Sequence, residues 1–197
     1  TAQDAYSGVA GTEFDQGDGI WLTYSNPVTL TNSGAITIQA RSVDNAGNAE
    51  TTPVQQQLNI DKAGPVTTIS VDGSLQNGWY SGDIEVTLTA QDNHSGSGVQ
   101  SIEYDYNDDN WRPYSGVITV SSDGISVIRA RASDIAGNVG DVAAEMIQTD
   151  NLPPSVGIEL AGSFQNGWFN SSVDILASAI DNLGGSGVQI IEYDYND

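Results

Sequence analysis

The chain repeats itself, and this constrains its fold more than any other feature. Asn77-Gly78-Trp79 returns 89 positions later as Asn166-Gly167-Trp168. Ser97-Gly98-Val99-Gln100, with the run from Ile102 to Asp108, returns at the same offset between Ser186 and Asp197. Looking backward, Asp44-Asn45-Ala46-Gly47-Asn48 reappears 90 positions on as Asp134-Ile135-Ala136-Gly137-Asn138, and Trp21 reappears as Trp111. Thr1-Ala2-Gln3-Asp4 matches Thr89-Ala90-Gln91-Asp92 at an offset of 88, so one loop differs by two residues. A unit of this length is one small domain. Prolines in Lys62-Ala63-Gly64-Pro65 and Asn151-Leu152-Pro153-Pro154 resist continuing a strand ladder and mark the joints. The chain is therefore expected to hold the rear of one repeat (1–62), a whole repeat (63–151) and the front of a third (152–197), as a window on a longer tandem array.

Alternation inside the whole repeat predicts strands. Ile84, Val86, Leu88 and Ala90 interleave with Glu85, Thr87 and Thr89, giving one apolar and one wet face. Ser126, Ile128, Ala130 and Ala132 interleave with Val127, Arg129 and Arg131 in the same way. Val66–Val71, Val99–Tyr106, Trp111–Tyr114, Val117–Val120 and Val139–Gln148 bring the expected number to seven, with Gly/Asn turns between them. That spacing fits an antiparallel Ig-like β-sandwich. With no cysteine among 197 residues, packing alone must hold it. Trp79, Trp111, Tyr104, Ile102, Ile128, Leu88 and Met146 are the expected bulky core or core-rim residues. The front of the third repeat is expected to supply three strands, and the rear of the first to run from the third strand onward.

Charge removes several functions. Lys and Arg total 5 against 26 Asp and Glu, for a net charge of −21. Nucleic-acid binding depends on Lys and Arg neutralising phosphates, and anionic membranes attract basic segments, so neither partner is expected. No apolar run approaches the roughly 20 residues of a membrane-spanning helix.

Trp79-Tyr80, Val86-Thr87-Leu88-Thr89-Ala90, Asp92, Ser97-Gly98-Val99, Glu103-Tyr104, Trp111, Asp123-Gly124 and Arg131-Ala132 through Asp134 to Ala136-Gly137-Asn138 together resemble a known pattern. It is that of tandem bacterial Ig-like repeats, particularly the type named after a leptospiral outer-membrane protein. The resemblance spans the chain and implies an extracellular or surface-attached bacterial protein. Such repeats occur in adhesins, surface layers and the stalks of secreted glycoside hydrolases.

Ig-like topology places the loop after the second strand and the loop after the sixth at the pole where the chain enters the domain. In the whole repeat these places hold Asp92, Asp134 and the linker residue Asp61. The next joint offers Asp150 and Asp181, and the first repeat offers Asp4 and Asp44. Converging carboxylates either raise their pKa values or hold a cation, and an all-oxygen set suits Ca2+. This resembles the calcium-stiffened junctions of giant bacterial adhesins, where a linker Asp and the Asp of an Asp-x-Ala-Gly-Asn loop are ligands. Asp and Asn in loops also serve as turn formers that fold back on their own backbone, and both readings are carried forward.

Other motifs carry less. Asp105-Tyr106-Asn107-Asp108-Asp109 approaches an EF-hand loop, but Asn110 stands where glycine is required and Gly116 where glutamate is. It reads as an acidic hairpin turn. Glu103 and Asp105 lie two apart on one strand, without the two distinct environments that glycosidase chemistry needs. They read as solvated charges facing the outward arginines. His94 is the only histidine, and no other repeat has its counterpart. No enzymatic activity is expected. The reading is a spacer, stalk or surface-fibre segment. Its rivals are an adhesin-type module for a glycan or surface protein, and an accessory module of a secreted glycoside hydrolase. Neighbouring repeats of the same chain are the expected partners, and head-to-tail self-assembly is a further expectation.

Overall fold

The computed structural model describes residues 3–195, and among these every regular element is a β-strand. Thr1-Ala2 and Asn196-Asp197, which take part in the sequence matches, lie outside the described residues. The chain divides into two compact units. One comprises Thr1–Val66, Ala90–Ser101 and Ala132–Asp141, the other Thr67–Thr89, Ile102–Arg131 and Val142–Asp197. This division does not follow the proline-marked joints. The loops at one pole of the middle repeat group with the segment that precedes it.

In the first unit, strands β1 (Val9–Asp15), β2 (Leu22–Thr23), β3 (Gly34–Asp44) and β4 (Val54–Ile60) form one antiparallel sheet in the order β2-β1-β3-β4. By the repeat offset these are the third, fourth, sixth and seventh strands of a sandwich. Residues 28–30, which match the fifth strand, are not in a strand; in the middle repeat that strand pairs with the second strand, whose counterpart is not among the described residues of this segment. The linker in this unit packs tightly. A Cβ at Gly64 would lie 2.4 Å from the Val139 carbonyl carbon, and one at Gly140 would lie 1.8 Å from the Pro65 oxygen. Glycine at both positions lets the two backbones touch.

The middle repeat carries seven strands, as the alternation predicts. They are β5 (Val66–Gln76), β6 (Trp79–Gln91), β7 (Val99–Tyr106), β8 (Arg112–Pro113), β9 (Ile118–Val120), β10 (Gly124–Asp134) and β11 (Ala143–Thr149). One sheet is β5-β6-β9, the other β8-β7-β10-β11, and a single parallel pair, Thr149 with Tyr80, joins their edges. This is an Ig-like β-sandwich. Asn77 and Gly78 both take positive φ, 52° and 86°, as the two-residue hairpin between β5 and β6 requires.

Its core is aliphatic. Ile84, Val86, Leu88, Ile118, Val120, Ile128, Ala130 and Ile147 are buried together, with Ile102 and Tyr104 half-buried against them. Burial of each large apolar side chain contributes on the order of 1.5–3 kcal/mol. Trp79, Trp111 and Met146 are corrections to the expected core. Met146 is 59% exposed because Ile147 and Thr149 set the inward parity of β11. Trp111 is half-buried outside the cluster, with the Arg131 guanidinium 4.2 Å above its ring, and Trp21 carries Arg41 at 4.1 Å in the same manner. Asp105 is a further correction, since it is fully buried rather than solvated. It accepts hydrogen bonds from Asp108 N, Asn110 N and Arg129 Nε, pinning the acidic hairpin turn.

In the third repeat, β12 (Ser155–Ala161) pairs with β15 (Asp174–Ile180), and β13 (Phe164–Gln165) with β14 (Trp168–Phe169). The expected third strand does not form. Residues 188–195 are irregular; the equivalent strand of the middle repeat pairs with β8 and β10, and no counterpart of either lies among the described residues.

Candidate cation site at the repeat junction

Three segments meet in the first unit. Asp61 ends the linker after β4, Asp92 opens the loop after β6, and Asp134 closes β10. One carboxylate oxygen of each lies within 4.8 Å of the others, with Asp134 fully buried and Asp61 and Asp92 half-buried. The structure thus brings together the three residues named for this joint.

The turn-forming role is realised as well. Asp134 Oδ1 accepts from Asn138 N, and Oδ2 from Asn138 Nδ2, both at 2.8 Å. The Asn138 amide also reaches the Asp61 carbonyl at 3.3 Å. Asp92 Oδ2 accepts from Gly98 N at 2.6 Å and Oδ1 from Asn93 N at 2.8 Å. Asp61 Oδ2 accepts from Ser97 N at 2.7 Å, and Oδ1 from Asn93 Nδ2 at 3.1 Å. The loop from Asp92 to Gly98 thus threads between the linker carboxylate and its own. Each carboxylate offers about four lone-pair sites, so acceptor capacity remains on all three.

The remaining members of the expected set assemble in part. In the second unit, Asp150 Oδ2 accepts from Ser186 N at 2.7 Å and Asp181 Oδ2 from Gly187 N at 2.6 Å, reproducing the Asp61 and Asp92 contacts one repeat later. The Asn182 amide nitrogen, oriented to satisfy its hydrogen bonds, donates to Asp181 Oδ1 at 2.9 Å and Asp150 Oδ1 at 3.3 Å. Asp44 holds Asn48 as Asp134 holds Asn138. Asp4 Oδ2 accepts from Gly8 N at 2.7 Å and also takes Ser7 N at 2.8 Å. Ser7 matches Ser97, whose N–H goes instead to the linker carboxylate.

Sequence reasoning missed the residues that act through their backbone or by having no side chain. Asn93, Gly96 and Ser97 recur as Asn182, Gly185 and Ser186, and that recurrence was the signal available. A Cβ on Gly96 would lie 2.4 Å from Asp92 Oδ2, and one on Gly185 would lie 2.7 Å from Asp181 Oδ2. Gly96→Ala is expected to push the Asp92 carboxylate aside and weaken calcium binding about 10- to 100-fold. Isothermal titration calorimetry against the wild-type chain checks this.

Electrostatically the cluster is one-sided. Among the described residues, the ion pairs are made by Arg41, Arg112, Arg129 and Arg131, none of them to these three aspartates. Lys62, next to Asp61, instead donates to the Thr31 carbonyl at 2.8 Å. Hydrogen bonds keep several carboxyls ionised. The Ser97 N–H holds Asp61 well below the ordinary carboxylate range. The Ser186 N–H lowers Asp150, the Gly8 N–H lowers Asp4, and the Asn48 side chain followed by its N–H lowers Asp44.

A carboxyl whose pKa falls on folding stabilises the fold above its unfolded pKa, and that contribution is lost as protons bind the native state. Stability in chelator should therefore be level near neutral pH and fall once pH drops below about 3.8, the unperturbed value. Urea midpoints at descending pH measure this. A midpoint that rises on acidification through that range would contradict the assignment.

The donor set fits a hard divalent cation. Three carboxylates supply three anionic oxygens, and calcium accepts carbonyl and water oxygens to complete about six to eight.

No family model matches the chain, and no curated protein does. Among solved structures, the fibronectin(III)-like modules of Clostridium thermocellum CbhA are similar over 75% of this chain and 83% of theirs, at 13% identity and a TM-score of 0.34.

Proposed function

We propose that the chain is a non-enzymatic spacer segment, an array of Ig-like repeats whose junctions are stiffened by calcium. The observation that carries this reading is the meeting of Asp61, from the linker, with Asp92 and Asp134, from two loops of the repeat that follows. A cation held by all three ties the linker to the domain it enters, so the joint loses freedom when the ion binds. Asp150 with Asp181, and Asp44 with Asp4, are the corresponding parts of the junctions on either side. The repeats belong with the bacterial Ig-like type named after a leptospiral outer-membrane protein, and they work outside the cell. Their acidic surface keeps neighbouring stalks apart.

Burial supports a spacer over a glycan-binding module. Every Trp and Tyr between residues 63 and 151 is at least half-buried, and the Arg131 guanidinium covers one face of Trp111. A recognition surface of that kind needs a contiguous exposed patch.

Stiffening is directly measurable, because the chain has no cysteine to interfere with labelling. Spin labels at Thr51→Cys and Ser121→Cys, both exposed positions, report the distance across the Asp61 joint. Calcium is expected to narrow the distance distribution and chelator to broaden it. Identical distributions in both conditions would overturn the reading.

A further inference from the structure

Ser97 takes part in the junction twice. It gives its N–H to Asp61 Oδ2 at 2.7 Å, and its Oγ accepts from Ala136 N at 2.9 Å, in the loop that Asp134 opens. One half-buried residue thus joins the linker, the loop after β6 and the loop after β10. The consequence falls on Asp134. Among the described residues its Oδ1 accepts from Asn138 N alone, and its Oδ2 from the Asn138 side chain. A carboxylate oxygen has room for about two donors, so an acceptor position on Oδ1 stays open. The first repeat shows another arrangement of the matching residues on the same backbone frame. Asn45 N bonds Gly8 O as Ile135 N bonds Gly98 O, both at 3.0 Å, and Asp44 N bonds Asn48 O as Asp134 N bonds Asn138 O, again both at 3.0 Å. The serine differs. Ser7 Oγ donates to Asp4 Oδ2 at 3.1 Å, and Ala46 N goes to Asp44 Oδ1 at 2.9 Å, alongside Asn48 N at 2.8 Å. With two donors, that oxygen is full.

We propose, resting on the calcium reading of this junction, that Ser97 is a positioning residue for the cation: its hydroxyl diverts the Ala136 N–H from Asp134 Oδ1 and leaves that oxygen able to bind the ion. Without Oγ, the Asx turn at Asp134 offers Ala136 N the acceptor that Ala46 N uses. A second donor on Oδ1 then competes with the cation for the same lone pair. Ser97 acts on the linker ligand as well, since its N–H first, and its hydroxyl to a lesser degree, lower the Asp61 carboxyl and keep it ionised. The serine recurs as Ser186, whose N–H holds Asp150 at 2.7 Å as that of Ser97 holds Asp61.

Calorimetric titration of the full 197-residue chain with calcium tests this in wild type, Ser97→Ala, Ser97→Thr and Asp134→Asn. Ser97→Ala is expected to weaken binding about 10- to 100-fold, the usual effect of removing a group that orients a metal ligand. Ser97→Thr keeps the hydroxyl and should bind close to the wild-type affinity, while Asp134→Asn should lose binding. The Ala136 amide proton, followed by NMR in chelator, gives a readout without metal: it should shift in Ser97→Ala and return in Ser97→Thr. A serine that only braced its loop would lower the urea midpoint and leave the calcium affinity unchanged. Wild-type affinity in Ser97→Ala, or a Ser97→Thr chain as weak as Ser97→Ala, with binding still lost in Asp134→Asn, would overturn the role of Ser97 and leave the junction reading standing. A wild-type chain that takes up no calcium would overturn the junction reading and this role with it.

Discussion

Ile128→Ala is expected to destabilise the middle repeat by about 2–5 kcal/mol, the range for removing a large aliphatic side chain from a core that cannot collapse around the gap. Ile128 has no exposed surface and lies among Ile84, Val86, Leu88, Ile118, Val120 and Ile147, with both sheets contributing to its surroundings. For a domain of this size that loss corresponds to roughly a 10–30 °C fall in melting temperature. The first repeat contains its own control. Ile38 occupies the same register position but is only half-buried, on a sheet that no second sheet covers among the described residues of its unit. Ile38→Ala should cost the chain much less. Urea unfolding of both variants measures the difference, and equal losses would mean that the two-sheet core is not what holds the middle repeat.

The strands of that core were readable because one of their faces is wet. In β6, Ile84, Val86, Leu88 and Ala90 alternate with Glu85, Thr87 and Thr89, and in β10 Ile128, Ala130 and Ala132 alternate with Arg129 and Arg131, so the inward parity is readable in those stretches. β11 has apolar residues on both parities, Ala144 and Met146 against Ala143 and Ile147. Pattern alone does not choose between them, and Met146 lies on the wet side. The tryptophans failed for another reason. Hydrophobicity argues for the interior, but Trp111 is matched by an arginine on β10, and a guanidinium over an indole face is itself favourable. That pairing depends on strand register, which composition does not contain. The carboxylate cluster was legible from topology, since loops at one pole of an Ig-like fold meet. The loop that orders it was not, because Ser97 and Gly98 act through backbone N–H groups and Gly96 through an absent Cβ. Only their recurrence at Ser186, Gly187 and Gly185 marks them.

The second large effect concerns Asp134, the fully buried member of that cluster. Asp134→Asn keeps the shape of the side chain and removes one of three negative charges. If the three carboxylates form a cation site, calcium stabilises the wild-type chain through binding to the folded state alone, by about 2.7 kcal/mol at a hundredfold excess over Kd. That is a rise of roughly 10–20 °C in the melting temperature of a domain this size. The variant should lose nearly all of this rise. In chelator it should melt somewhat below the wild type, because an amide nitrogen replaces one of the two oxygens that accept from Asn138, so the cation site is read from the loss of the calcium-dependent rise. A residue that merely shaped its turn would behave differently, with Asp134→Asn lowering the melt equally in both conditions.

The calorimetric melt of the wild-type chain in saturating calcium and in excess chelator is therefore the most direct measurement. A calcium-dependent rise that disappears in Asp134→Asn is the result expected of a junction held by Asp61, Asp92 and Asp134. Superimposable wild-type melts in the two conditions would contradict it.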